Sequence, residues 1–338
     1  MSTIQPCAAA LCAALALGGC RAEGPTTLLW DGATVTKGDR DRAVARGLAY
    51  IFATAENAED FSDYGSDYLW CFYSIAAATS NARLRQSALN YGRILARRWR
   101  DLSHGDLAVA NAETVSDLAM AVEASEALGI FDPDMRHRLE RRLPEFTVQQ
   151  MLGFDPTSEP PPTREIVLTG AEACAAAGLD DSQPDACSEV RRTIPDPDIW
   201  YDALIATYFG DRFGVPFGAS FAELMAWRDE LLPYRDRAYL GEVAWYDQAY
   251  MVTHLVYTHN DYGQRRLDPA MLPEEYAFLL RAFEVVLVDD DAETFAEFVD
   301  TLKAFGHTPL SDADMARAIE AILASQNADG SWGQIDGE

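Results

Sequence analysis

Apolar residues recur at helical spacing along most of the chain, whereas the sustained two-residue alternation of half-buried strands is almost absent. The pattern therefore predicts an all-α protein. Its helices are expected over residues 41–58, 67–80, 84–101, 107–128, 134–152, 198–211, 220–232, 242–261, 273–288, 291–305 and 311–326.

The predicted helices alternate in character along the chain. Strongly apolar helices at 67–80, 107–128, 198–211 and 242–261 come between amphipathic or charged ones, and 291–305 takes the next inner position by order. Inner and outer helices in a ring of αα-hairpins would produce this alternation. A solenoid of helix pairs would produce it as well, so both arrangements stay open.

The stretch 242–263 reads as a long inner helix without proline, followed by a glycine at its end. Asp247, Tyr250, His254 and Asp261 fall on one stripe of that helix. Because unpaired buried polar groups are costly, the stripe needs either partners in a hydrogen-bond network or a water-lined cavity. The sequence is compatible with both.

His254 is the leading candidate for a catalytic residue. Asp247 and Asp261 lie one heptad to either side of it and Tyr250 lies one turn before it, so a carboxylate-oriented base is one interpretation. A structural histidine is the other. His259 follows at i+5 rather than i+4, which disfavours a two-histidine metal site on this helix. Metal binding elsewhere and the identity of any cofactor stay open.

Residues 154–197 interrupt the helices with seven prolines. They are expected to cross one face of the protein, as a cap over a cavity or as a linker between domains. Cys174 and Cys187 flank a loop-like segment there and are predicted to form a disulfide. Cys71, among aromatic residues, is predicted to be a small buried side chain.

The first 19 residues contain no charged side chain, and their apolar run is too short to span a membrane. The run ends in Leu17-Gly18-Gly19-Cys20, which resembles the bacterial lipoprotein signal. That resemblance implies a signal peptide over 1–19, lipidation of Cys20, and attachment to the cell envelope on its periplasmic or surface side. The absence of Lys and Arg before the apolar run departs from the pattern.

Near the other end, Gln326, Asp329, Gly330, Ser331 and Trp332 match the QxxDGSW turn of the squalene–hopene cyclase and protein prenyltransferase superfamily. The resemblance implies an (α/α)6 toroid, in which this turn ties an outer helix to the next inner one. The expected domains are a tether over 20–39 and one toroid over 40–338, with an excursion at 154–197. A sixth inner helix would begin where the chain stops, so a C-terminal truncation is one interpretation.

The superfamily's reactions are not supported by the residues. Neither the DxDD acid of class II cyclases nor the Asp-x-Cys and His zinc ligands of prenyltransferases is present in the expected pattern. A formal net charge of −27, from 54 acidic and 27 basic residues, argues against nucleic-acid binding.

Acidic residues gather near the predicted starts of the inner helices, where capping and the helix dipole favour them. The alternative is an acidic mouth that binds a cation or offers a carboxylate pair for acid/base chemistry on a glycan. These residues are Asp63, Asp67, Asp106, Glu113, Asp198, Asp202, Glu242, Asp247 and Asp289 to Asp291.

The sequence thus predicts an exported lipoprotein with a cyclase/prenyltransferase-like toroid and an acidic, aromatic-lined cavity, acting on or holding an unidentified ligand. One alternative is a non-catalytic periplasmic or surface binding or scaffold protein. Another is a glycan-processing hydrolase or lyase that uses carboxylates. The expected partners are a small-molecule or glycan ligand and, through the lipid, a membrane; cofactor, substrate and oligomeric state are not predicted.

Overall fold

The computed structural model describes residues 27–30, 33–102, 104–179, 187–288 and 292–332. The predicted signal peptide, Cys20 and Asp289 to Asp291 lie outside these residues. The described chain divides into two compact units, where the sequence analysis expects one domain over 40–338. Unit 1 contains the residues up to Arg142 and from His259 onward, and unit 2 contains residues 143–258.

Unit 1 opens with a two-stranded antiparallel hairpin inside the predicted tether, in which Thr27 faces Thr36. Six helices follow. The elements are β1 (Thr27–Trp30), β2 (Ala33–Thr36), α1 (Lys37–Thr54), α2 (Ala58–Asp63), α3 (Gly65–Ala78), α4 (Ala82–Arg100), α5 (Ala112–Ala127) and α6 (Pro133–Arg142).

Unit 2 combines short and long helices with a second hairpin. Its last helix ends at His259, where the chain returns to unit 1. Its elements are α7 (Val148–Leu152), β3 (Thr163–Leu168), α8 (Gly170–Ala176), β4 (Val190–Pro195), α9 (Pro197–Phe213), α10 (Phe221–Met225), α11 (Arg237–Leu240) and α12 (Glu242–His259).

The chain then returns to unit 1 for three further helices, which complete the described structure. They are α13 (Pro273–Val288), α14 (Ala292–Ala304) and α15 (Ala313–Ala324). The prediction of a mainly helical protein is confirmed. Within the described residues, no helix has both the length and the apolar character needed to cross a bilayer.

The hairpin of β3 and β4 is the main element that the sequence pattern does not predict. It lies within the predicted excursion, with Thr163 opposite Pro195 and Leu168 opposite Val190. The predicted disulfide between Cys174 and Cys187 is present, with Cα atoms 5.3 Å apart. The excursion is therefore a folded part of unit 2.

Local sequence explains where the principal helices begin and end. At the start of α1, Thr36 and Asp39 form a reciprocal capping box. At α9, Asp196 caps the first turn, Pro197 occupies its first position, and Gly214 ends the helix with a left-handed φ of 81°.

Helix α3 forms the centre of unit 1, where it packs against α1, α4 and α5. Its aromatic residues Tyr68 and Phe72 are fully buried, and Cys71 is buried among them as predicted. Gly92 of α4 permits this close packing, because a Cβ there would lie 3.0 Å from that of Phe72.

Helix α14 is buried on nearly every face, as its order in the chain predicts. The burial includes charged residues, and Lys303 Nζ lies 3.2 Å from Asp300 Oδ1. Burial raises the pKa of Asp300, while Lys303 opposes that rise.

The QxxDGSW turn docks on the first helix of the domain. Gln326 Nε2 donates to the Ala43 carbonyl at 2.9 Å, and Trp332 Nε1 donates to the Ile322 carbonyl at 2.8 Å. The buried Trp332 ring lies against Gly47, where a Cβ would meet ring carbons at 2.4 and 2.9 Å. The turn therefore joins α15 to α1.

This docking predicts opposite effects for two alanine substitutions in α1. Gly47→Ala forces the Trp332 ring to move and should destabilise the protein by about 1–3 kcal/mol. Gly38→Ala is the matched control, because its Cβ meets only ordinary contacts at 3.4 and 3.5 Å. It should be neutral or stabilising by up to about 1 kcal/mol. Urea unfolding measures both, and equal stability of the two variants would contradict the docking.

Candidate functional site

The predicted polar stripe of α12 is interrupted before its last member. The helix ends at His259, and Asp261, Tyr262 and Gly263 follow with positive φ angles of 56°, 49° and 85°. Asp261 therefore lies in a turn of unit 1, where its carboxylate is 3.3 Å from Arg265. The prediction that it continues the helical stripe is wrong, because three consecutive left-handed residues end the helix first.

Asp247 is held in an ion-pair cluster. Arg164 of β3 donates Nη2 to the Asp247 carboxylate and Nη1 to Asp198 at 2.6 Å, and it lies 3.7 Å from Asp196. The side chains of Arg164 and Asp247 are only 26% and 23% exposed, so solvent screens this pair only in part. Arg164 joins the β3–β4 hairpin to the starts of α9 and α12.

The cluster explains a pKa shift at Asp198. Burial raises the pKa of Asp198, the charge of Asp247 raises it further, and Arg164 lowers it. One cation thus serves three carboxylates. Asp247 is part of this link, and its partner is Arg164 rather than His254.

His254 lies among three tyrosines and bonds to its own helix. Its Nδ1 lies 2.9 Å from the Tyr250 carbonyl, and since a carbonyl only accepts, Nδ1 carries the proton. Burial lowers the pKa of His254 to about 4, against the opposing effect of this bond. The ring centroids of Tyr201 and Tyr257 lie 4.6 and 5.4 Å away.

Asp247 is therefore not the group that orients Nδ1 of His254. His254 is neutral near pH 7, its Nδ1 is oriented by a backbone carbonyl, and Asp247 is paired elsewhere. The backbone carbonyl of Tyr250 accepts hydrogen bonds from His254 Nδ1 and from the Thr253 hydroxyl. This arrangement favours the interpretation of the stripe as a structural network.

A second set of carboxyl groups has more unusual properties. Asp67 lies in the first turn of α3 and Asp117 in the second turn of α5, and these two helices pack together. Burial raises the pKa of each carboxyl group to about 6. Both side chains nevertheless expose surface to solvent, so neighbouring protein removes only part of the water around each carboxyl group.

Asp67 and Asp117 also interact electrostatically. After burial, the charges of Asp67 and Glu113 are the next causes that raise the pKa of Asp117. Neither aspartate has a cationic partner in the described part of the chain. Sequence reasoning identified Asp67 and Glu113 but missed Asp117, although its spacing of i+4 from Glu113 places both on one face of α5.

Aromatic rings lie close to Asp67 along α3. Trp70, one turn later, has its ring centroid 5.1 Å from that of Tyr73 and 5.5 Å from that of Tyr262. Trp70 and Tyr262 are buried, and Tyr73 is half-buried. Unit 1 therefore places Asp67 on the same helix as Trp70 and Tyr73 of this aromatic cluster.

A hydrogen-bonded Tyr–His–Asp chain occurs elsewhere in unit 1. His307 bonds through Nε2 to the Tyr276 hydroxyl at 2.8 Å and through Nδ1 to Asp312 at 2.6 Å. Asp312 also caps α15 through its other oxygen. The chain thus ties α13 to α15, a structural role that the sequence did not reveal.

In the described part of the chain, other acidic residues near helix starts have local partners. Glu242 pairs with Arg237 at 2.7 Å, and Asp106 accepts from a backbone N–H in its own turn. Among the described residues, no group of three or more His, Cys, Asp or Glu side chains is placed to hold a metal ion.

Comparison with known protein families, curated proteins and solved structures finds no match to this chain. The resemblances at its two ends therefore depend on their own short motifs.

The Arg164 cluster predicts a large, pH-dependent effect of removing one cation. Arg164→Gln leaves Asp198 and Asp247 without their counterion and should destabilise the protein by about 1–3 kcal/mol at pH 7. Without Arg164 the folded-state pKa of Asp198 rises further, so folding binds protons and the loss should shrink toward pH 4. Unfolding in urea at both pH values measures this.

Arg191→Gln is the matched control, because Arg191 is an exposed neighbour on β4 that pairs with exposed Glu165 and Glu189. Its effect should be at most about 1 kcal/mol. Equal effects of the two substitutions would show that Arg164 has no special role.

The lowered pKa of His254 predicts a second pH effect. The unfolded chain binds a proton at an ordinary histidine pKa near 6.5, whereas the folded protein does not until about pH 4. Stability is therefore lost as pH falls from about 6.5 to 4. In His254→Gln the part of this stability loss that comes from the histidine should vanish. If the unfolding free energy of the variant changes between pH 6.5 and pH 4 by as much as that of the wild type, the lowered pKa is contradicted.

Proposed function

We propose that the protein is an enzyme that uses Asp67 and Asp117 as an acid/base pair on a hydroxyl-rich ligand, as a glycan-processing hydrolase or lyase does. The observation that carries this proposal is the pair of carboxyl groups on packed helices, each with its pKa raised to about 6. Such perturbed groups are concentrated at functional sites.

The pair provides both protonation states near neutral pH. Because each negative charge disfavours ionisation of the other group, one proton is retained over a broad pH range and the two groups titrate as a pair. The protonated partner serves as general acid toward a leaving oxygen, and the ionised partner serves as general base. The charge of Glu113 also raises the pKa of Asp117, so Asp117 keeps its proton to a higher pH.

The surroundings favour a neutral or cationic glycan as substrate. Tyr73, which is half-buried, belongs to the same helix as Asp67, and an aromatic face stacks on the apolar face of a sugar ring. A chain with a net charge of −27 repels polyanions. The alternative is a non-catalytic binding protein that holds the same ligand at this site.

The finer fold assignment is also a proposal. We infer that the helical hairpins belong to an (α/α)6 toroid of the cyclase and prenyltransferase type. Support comes from the buried α3, α5 and α14 alternating with more exposed helices, and from the docking of the QxxDGSW turn on α1. Attachment of the protein to the cell envelope through a lipid on Cys20 is proposed from the sequence motif alone.

Substitution of the pair tests the proposed chemistry. The protein is assayed on neutral and amino-sugar oligosaccharides. New reducing ends without unsaturated ends indicate hydrolysis, whereas new unsaturated ends indicate a lyase reaction. Asp67→Asn and Asp117→Asn should each lower turnover by roughly 10²-fold or more, because each removes a proton-transfer group. Both variants should keep the helical circular dichroism of the wild type.

Asp134→Asn is the control, since this exposed carboxylate on α6 lies in the same unit and should have no effect. Turnover that survives both pair substitutions would contradict the proposal. Binding of an oligosaccharide without turnover would support the non-catalytic alternative.

A further inference from the structure

Unit 2 contains a partly open cavity of about 130 Å³ between β4, the turn Arg228–Leu231, α11 and α12. Its wall includes the apolar side chains of Ile194, Leu231, Leu240 and Met251. A dry cavity of about 150 Å³ is large enough for a benzene-sized molecule, so this cavity has the scale of one small ring.

The cavity has cationic groups at its edge. Arg235 lines it together with Tyr239, and the guanidinium carbon of Arg235 lies 4.7 Å from the centre of the Tyr239 ring. The guanidinium carbon of Arg192 lies 4.0 Å from the same centre, and its Nη1 donates to the Tyr239 carbonyl. Two guanidinium groups thus share one aromatic ring.

Neither arginine is neutralised by an acidic side chain in the described part of the chain. This is unusual in a protein with 54 acidic and 27 basic residues, where other arginines of unit 2 such as Arg164, Arg191 and Arg237 are paired with carboxylates. Guanidinium forks bind carboxylates through paired, charge-assisted hydrogen bonds.

The position of Arg235 is fixed from the cavity wall. Gln248 of α12, only 7% exposed, accepts from the Arg235 backbone N–H and donates to its carbonyl, both at 2.9 Å. This two-point contact holds the backbone of Arg235 beside the cavity. A preorganised cation reduces the ordering cost of binding.

We propose that this cavity binds a small organic monocarboxylate, with the apolar body of the ligand inside and the carboxylate on Arg235. Glu230 also lines the cavity and forms no ion pair with Arg235. Its negative charge disfavours a ligand with a second carboxylate. The inference does not depend on the acid/base chemistry proposed for Asp67 and Asp117.

The test uses benzoate and its neutral analogue benzamide, titrated calorimetrically into the full-length chain. Benzoate should bind at least tenfold more tightly than benzamide. Arg235→Gln should weaken benzoate binding by roughly tenfold or more, because it removes charge-assisted hydrogen bonds. Arg191→Gln, on the same strand as Arg192 but paired with Glu165 and Glu189, should leave binding unchanged.

Glu230→Gln provides an independent variant in case Arg235→Gln fails to fold. It should strengthen benzoate binding, and it should admit terephthalate, which the wild type should bind weakly. One charge-assisted contact together with burial of a ring should give binding that is detectable at about 10 mM benzoate. The absence of binding at that concentration overturns the proposal. Equal affinities for benzoate and benzamide, or benzoate binding unaffected by both substitutions, would overturn it too.

Discussion

Negative charge that must be accommodated inside the protein is the constraint on which the rest of the structure depends. A carboxylate removed from water needs a cation, hydrogen bonds or a proton. In unit 2 the cation is Arg164, which binds Asp247 and Asp198 and fixes the β3–β4 hairpin to two helices. In the described part of unit 1 no cation pairs with Asp67 or Asp117, and burial raises the pKa of each carboxyl group to about 6.

These two solutions have different consequences for function. An ion-paired carboxylate stabilises a particular arrangement of chain segments and loses its freedom to transfer protons. A carboxyl group that titrates near neutral pH is a weaker contributor to stability at pH 7, because its charged form is disfavoured in the folded state. Such a pair contributes less to folding than the Arg164 cluster does, and perturbed pKa values of this kind are concentrated at functional sites.

The sequence pattern was most informative where a single periodicity dominated. The helix over residues 273–288 has its predicted bounds, and Cys174 and Cys187 form the predicted disulfide. The strands of the β3–β4 hairpin escaped detection because each has six residues, and a helix and a disulfide-bonded loop separate them. Short alternation between prolines gives little signal.

The candidate site was harder to predict because its partners are distant in sequence. Helical spacing placed His254 and Asp247 on one stripe, but Arg164, 83 residues before Asp247, is the group that decides what this aspartate does. Asp117 was missed because no pattern within one helix connects it to Asp67. In the folded protein α3 and α5 pack together, and the charge of Asp67 then raises the pKa of Asp117.

The central claim is that Asp67 and Asp117 share a site and titrate together near neutral pH. The most direct test is a carboxyl-carbon NMR titration of aspartate-labelled protein, with Glu113→Gln and Asp67→Asn as variants. Both aspartates should titrate near pH 6, and each substitution should lower the pKa of Asp117, because each removes a neighbouring charge. Titration of both groups near the ordinary aspartate pKa of about 4, unaffected by either substitution, would contradict the account.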